Sequence, residues 1–158
     1  MMTVKTIKTL PFTLKNQEGI DVSLEDFFEQ WLILYFYPQD DTPGCTTEAC
    51  DFSQLSSTVK GVQIIGISPD LPESHERFII KYQLSLTLLS DPEKKILKAY
   101  EAWGIKKNYG REYEGVIRST FLINPKGEIV YSWKNVKAIG HAQKVIQKFI
   151  DLSSQTSF

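Results

Sequence analysis

Two hydrophobic periodicities alternate along the chain. Trp31 to Tyr37 (WLILYFY) is a continuous apolar run, the signature of a strand buried on both faces. Val62 to Ile67 (VQIIGI) is a second. Between them Ala49, Phe52, Leu55 and Val59 recur at helical spacing and predict a helix over about 45–59. A helix is predicted over 70–82, with Pro72 near its start and Phe78, Ile79 and Tyr82 inward, then a short strand over 84–89. Asp91-Pro92 opens the next helix, with Asp as cap and Pro at the first helical position, and Ile96, Leu97 and Tyr100 on its apolar side. A last helix begins near His141, with Ala142, Val145, Ile146, Phe149 and Ile150 on one side. Two hairpins are marked by their turns: 12–14 with 20–22 around Asn16-Gln17-Glu18-Gly19, and 116–123 with 128–133 around Asn124-Pro125-Lys126-Gly127. Ser23 caps a short helix, with Asp26 three residues on. Residues 101–115 follow neither period and read as an irregular loop.

The crossover from strand 31–37 through helix 45–59 to strand 62–67 implies parallel pairing and a right-handed connection. With the later hairpin as an antiparallel edge, the class is α/β, a mixed sheet with helices on both faces and an N-terminal β-hairpin. The 158 residues fit one domain, read as 1–152 with a frayed tail over 153–158. A formal net charge of −1, from 18 basic and 19 acidic residues, argues against nucleic-acid and membrane partners. The lysine-threaded N-terminus lacks an apolar signal core, and no apolar run reaches the roughly 20 residues of a span, so the expected location is cytoplasmic.

What remains is one local thiol pair, Cys45 and Cys50, distant from both histidines, His75 and His141. That layout lacks zinc-finger spacing and the spread of a secreted disulfide scaffold. The segment reads YPQDDTPGCTTEACDF from Tyr37 to Phe52. Pro38 ends the strand, Pro43-Gly44 turns the chain, and Cys45 falls in the first helical turn, where free N–H groups and the helix dipole favour a thiolate nucleophile. Asp40, Asp41, Glu48 and Asp51 oppose that charge, so a cation from elsewhere in the chain is required. On one regular helix the two cysteine Cα atoms would lie roughly 8.7 Å apart. A disulfide needs about 7 Å or less, so the pair bonds only if the first turn unwinds.

The segment resembles the peroxiredoxins, specifically the bacterioferritin comigratory protein or PrxQ group. The Pro-x-x-x-Thr-x-x-Cys motif stands as Pro38, Thr42 and Cys45, and the group's second cysteine matches Cys50. Gly115 to Ile123 (GVIRSTFLI) resembles the segment that carries the family's arginine, here Arg118. The likeness runs from about Leu10 to Leu152, and departs where relatives have Ala-Pro-Asp-Phe and this chain has Leu10-Pro11-Phe12. It implies a thioredoxin-like fold and a peroxidase acting on hydrogen peroxide and organic hydroperoxides. Cys45 would be the peroxidatic thiolate and Cys50 the resolving thiol of an intrachain disulfide, with thioredoxin or a similar dithiol as reductant. Arg118 would be the missing cation, Thr42 would orient peroxide and thiolate, and Pro38 would shield the sulfur. It implies no metal, haem or flavin, and a monomer.

Three other readings stand beside it. A disulfide reductase needs two residues between its cysteines, and this chain has four. A copper carrier would add His141 to the two thiols, and a binding module would leave the thiols inert. Glu48 reads as an ordinary first-turn helix acid, and His75 and His141 as structural or solvated. Trp103 lines a pocket or anchors the core.

Overall fold

A computed structural model of the chain describes residues 7–155. The central strand, β4 (Trp31–Phe36), is buried along its whole length and divides the core in two. Ile33, Tyr35 and the following Tyr37 face a layer formed by three helices: α1 (Pro43–Thr58), α2 (Pro72–Tyr82) and α4 (His141–Gln155). Phe52, Phe78, Val145 and Phe149 fill that layer. Leu32, Leu34 and Phe36 face the other layer, where they meet Phe12, Leu24, Leu97 and Tyr100. The second layer is closed by α3 (Lys95–Ala99) and a 3-10 turn over Leu24–Phe27. Alternate side chains of a strand point to opposite faces, so only a continuous apolar run suits this position.

Eight strands form one mixed sheet. β4 pairs in parallel with β5 (Val62–Ser68), and β5 with β6 (Thr87–Ser90). On its other side β4 pairs antiparallel with β9 (Ser119–Ile123), which pairs with β10 (Glu128–Lys134) and that in turn with β1 (Ile7–Lys8). The hairpin of β2 (Thr13–Lys15) and β3 (Asp21–Ser23) finishes the far edge. Asn16 Oδ1 accepts from the Glu18 and Ile20 amides and shapes its turn.

Five expectations need correction. Residues 101–115 are mostly strand: β7 (Trp103–Asn108) and β8 (Arg111–Val116) form an antiparallel ribbon outside the main sheet, with Tyr109 and Gly110 both at positive φ in a two-residue turn. The strand predicted over 116–123 is broken at Ile117 and Arg118. The Ile117 amide bonds to the Ala102 carbonyl and the Arg118 carbonyl accepts from Val136, so both leave the ladder. Helix α3 starts at Lys95, not beside Pro92. Its N-cap is Lys94 and not Asp91, although the Asp91 carboxylate still accepts from the amides of Ile96 and Leu97. Ile150, assigned to the inward side of the last helix, is exposed. That helix runs through Gln155, three residues into the stretch read as a tail, and 156–158 lie outside the described residues.

Candidate active site

Helix α1 leaves the carboxyl end of β4, the edge where sites form in such sheets. Thr42 is its N-cap and Pro43 its first residue, which suits a ring that lacks an amide hydrogen. Cys45 is therefore the third helical residue and is buried, 1% exposed. Phe36 pairs with Ser119, so the break at Arg118 lies at the same carboxyl end of β4. The guanidinium enters the site from there. Arg118 Nη2 donates to Cys45 Sγ at 3.2 Å, and Nη1 donates to Glu48 Oε1 at 2.5 Å. One planar cation thus spans a sulfur and a carboxylate, a geometry that a lysine ammonium lacks. Gly44 makes room for it, because a Cβ there would stand 3.3 Å from Arg118 Nη2.

The electrostatics follow from burial. Glu48 is completely buried and its Oε2 has no hydrogen-bond partner among the described residues. Burial pushes its carboxyl up to about 7, against the pull of Arg118. Burial also works against the Arg118 charge, but Glu48 and Cys45 outweigh it and hold the guanidinium above its ordinary value. A fixed cation therefore stands 3.2 Å from the buried sulfur. Cys50 is half-buried, and burial followed by the charge of Asp51 pushes its thiol up. Both cysteines are free thiols.

Asp40 and Asp41 have partners of their own. Asp40 Oδ1 accepts from Tyr37 Oη at 2.6 Å, while Oδ2 meets Ser74 Oγ at 2.8 Å and His75 Nδ1 at 2.7 Å. The Asp40 amide donates to Asp70 Oδ2 at 2.7 Å. Asp41, at φ 57, accepts from Lys81 Nζ and Tyr82 Oη at the end of α2. Pro38 is half-buried at the end of β4. The Thr42 hydroxyl donates to the Gln39 carbonyl at 2.9 Å, so only its oxygen lone pairs remain for another partner.

The structure thus brings Cys45 and Arg118 into contact and places Thr42 at the cap of the same helix. It also adds two residues that the sequence reading set aside. Glu48, read as an ordinary first-turn helix acid, lies inside because positions 45, 48, 49 and 52 share the inward face of α1. An acid on an apolar stripe is the signal that identifies it. His75 shares such a stripe with Phe78 on α2 and is fully buried. His141, which a copper carrier would use, gives Nε2 to Thr120 Oγ1 at 2.7 Å. Burial, then Arg118 and Lys144, lowers it to about 4. Among the described residues, the potential ligands that converge are Asp40, Asp70 and His75, a set without either thiol. Trp103 is partly buried against the core, with its indole nitrogen unpartnered among the described residues. No described helix is long and apolar enough to cross a membrane.

Comparison with known proteins gives a consistent picture. The AhpC/TSA family matches residues 7–132. The chain is 43% identical to the peroxiredoxin Bcp of Bacillus subtilis (strain 168) over 157 residues, covering 98% of this chain and 100% of that one. Among solved structures, it resembles the Xanthomonas campestris bacterioferritin comigratory protein, whose structures concern alkyl peroxide reduction. There the identity is 35% and the TM-score 0.84, covering 91% of this chain and 96% of the other. A cysteine-to-serine mutant of Xylella fastidiosa PrxQ gives 33% identity and a TM-score of 0.86, covering 97% and 99%. The curled mixed sheet flanked by helices is the thioredoxin-like fold of these neighbours.

Proposed function

Because this chain belongs to the AhpC/TSA family and is a peroxiredoxin of the Bcp/PrxQ type, we propose that its peroxidase chemistry runs through Cys45, with Cys50 as the resolving thiol and a thioredoxin-type dithiol as reductant. The observation that carries this reading is the Arg118 cation against the Cys45 sulfur in a buried first helical turn.

The Cys45 thiolate attacks the terminal oxygen of a hydroperoxide. The O–O bond breaks, the sulfur gains that oxygen as a sulfenic acid, and the departing oxygen takes a proton and leaves as alcohol or water. Arg118 stabilises the charge that develops on the oxygens during this step. Thr42 accepts a hydrogen bond from the hydroperoxide, since its own hydrogen goes to Gln39. Pro38 limits water at the sulfur. Cys50 then attacks the sulfenic sulfur, water leaves, and a disulfide forms. Two hydrogens have been lost from the protein for each peroxide reduced. A dithiol returns them by exchange and is itself oxidised.

Burial keeps Cys50 as a thiol in the closed site. It becomes a useful nucleophile once α1 opens, which the helical geometry also demands. Hydrogen peroxide and organic hydroperoxides are the substrate class, and the intrachain route requires no second subunit, in keeping with a cytoplasmic monomer. Mass spectrometry after one equivalent of peroxide tests the scheme. A loss of two hydrogens mapped to a Cys45–Cys50 link is the expected result. Cys45→Ser protein should consume no peroxide, and Cys50→Ser protein should reduce one equivalent and then fail to recycle with thioredoxin. Undiminished turnover by Cys45→Ser protein would overturn the assignment.

A further inference from the structure

We propose that His75 is a positioning residue for the Cys45 site: through Asp40 it latches the loop over 38–42 closed, and so sets how oxidised Cys45 divides between Cys50 and a second peroxide. This rests on the peroxidase reading above.

His75 takes no part in the reaction as described, yet it is fully buried and bonded at both ring nitrogens. Nε2 lies 3.0 Å from the Leu89 carbonyl oxygen, which only accepts, so Nε2 carries a hydrogen. Nδ1 lies 2.7 Å from Asp40 Oδ2. Two lone pairs facing each other at that distance in a buried site would repel, so a second proton is shared between Nδ1 and Oδ2. Tyr37 and Ser74 add donors to the same carboxylate, and the Asp40 amide is tied to Asp70. Asp40 is therefore a fixed point five positions before Cys45. The neighbouring Asp41 contacts with Lys81 and Tyr82 are exposed and weakened by solvent, so the buried contact dominates the hold on the loop.

A second fixed point lies beyond Cys50. Ser53 Oγ accepts from the Ser85 amide at 2.6 Å, and Phe52 is wholly buried. The stretch between these anchors, from Asp41 to Asp51, contains both cysteines. Its helix has Thr42 as N-cap, without a side-chain cap bond. Loosening Asp40 lengthens the free stretch and favours the open form, in which Cys45 reaches Cys50. It also removes the closed geometry in which Thr42 and Arg118 meet a peroxide. The latch therefore pushes the two chemical steps in opposite directions. In the closed form, sulfenic Cys45 stays exposed to a second peroxide and to sulfinic acid formation.

The test compares His75→Gln with His75→Asn. The Gln amide nitrogen falls near Nε2 and keeps the Leu89 bond while losing Asp40. The Asn nitrogen falls near Nδ1 and keeps Asp40. Stopped-flow rates in His75→Gln protein should show peroxide reaction slowed about tenfold, the loss of one hydrogen bond to a charged group. Disulfide formation should be faster, and less sulfinic acid should form under excess peroxide. His75→Asn protein should resemble the wild type. Both steps slowing together, or the two variants behaving alike, would overturn the proposal. Amide hydrogen exchange over 40–46 in the reduced proteins provides a measure independent of the chemistry. It should quicken in His75→Gln only, and unchanged exchange there also overturns the latch. If wild-type protein forms no Cys45–Cys50 disulfide, the peroxidase scheme has failed and exchange alone decides the latch. Should His75→Gln not fold, Ser74→Ala removes a donor to the same carboxylate oxygen and is judged by the same criteria with a smaller shift.

Discussion

Replacing Glu48 by Gln should make the reduced protein more stable at pH 8 and remove part of its pH dependence. Glu48 is completely buried, and its carboxyl rises from 4.5 to about 7 on folding. An acid raised in this way binds more protons folded than unfolded between those values. Stability is therefore lost as pH climbs through that window and is retained below it. The full displacement corresponds to about 3 kcal/mol, and the part falling between pH 5 and pH 8 to about 2–3 kcal/mol. Gln is nearly isosteric, keeps an acceptor for Arg118 Nη1 and carries no charge to desolvate, so its contribution does not vary with pH. The assay is urea unfolding of both reduced proteins at pH 5, 6, 7 and 8. With a slope near 2 kcal/mol/M, the midpoint difference between variant and wild type should move by about 1 M in favour of the variant across that range. A difference that stays constant with pH would refute the claim that Glu48 is held ionised at a cost. A difference that moves the other way would show that the Arg118 pair outweighs burial. Peroxide reactivity should fall in the same variant, because a neutral amide holds the guanidinium less firmly than a carboxylate.

Three further outcomes are expected. Arg118→Lys protein keeps a positive charge but reaches only one of the two partners, so its second-order rate with peroxide should drop about 10–100-fold in stopped-flow measurements. Gly44→Ala places a methyl group 3.3 Å from Arg118 Nη2, so peroxide reactivity should fall while the melting temperature changes little. Gly66→Ala meets the Tyr35 ring at 2.8 Å and Leu88 at 2.9 Å, and overpacking there should cost about 1–3 kcal/mol in denaturant unfolding without changing the thiol chemistry.

Much of the fold is legible in the sequence because burial imposes periodicity. The runs at β4 and β5 and the stripes of α1, α2 and α4 are direct consequences of which faces meet the core. The β7–β8 ribbon escapes such reading because much of it faces solvent, with Lys106, Glu112 and Glu114 on its strands, and its turn places Tyr109 at a positive φ that tyrosine seldom adopts. The break at Ile117 and Arg118 is equally silent, since its hydrogen bonds go to Ala102 and Val136, which no local pattern links to it. In the site, Cys45 and Arg118 follow from the segments that carry them. Glu48 and His75 require knowing that an acid and an imidazole can replace an apolar residue on an inward face when a partner waits there: Arg118 for one, Asp40 for the other.

The start of α1 connects this architecture to electrochemistry. Thr42 spends its hydroxyl on Gln39 and gives the helix no side-chain cap bond. The proposed disulfide between Cys45 and Cys50 requires the first turns to be undone, so the free energy of winding them would be part of the free energy of reducing that bond. For a two-electron couple, each 1.4 kcal/mol of helix stability raises the reduction potential by about 30 mV. A weakly capped helix therefore lowers the potential relative to a well-capped one, and in the proposed cycle every side chain that steadies residues 42–50 acts on the potential of the thiol pair.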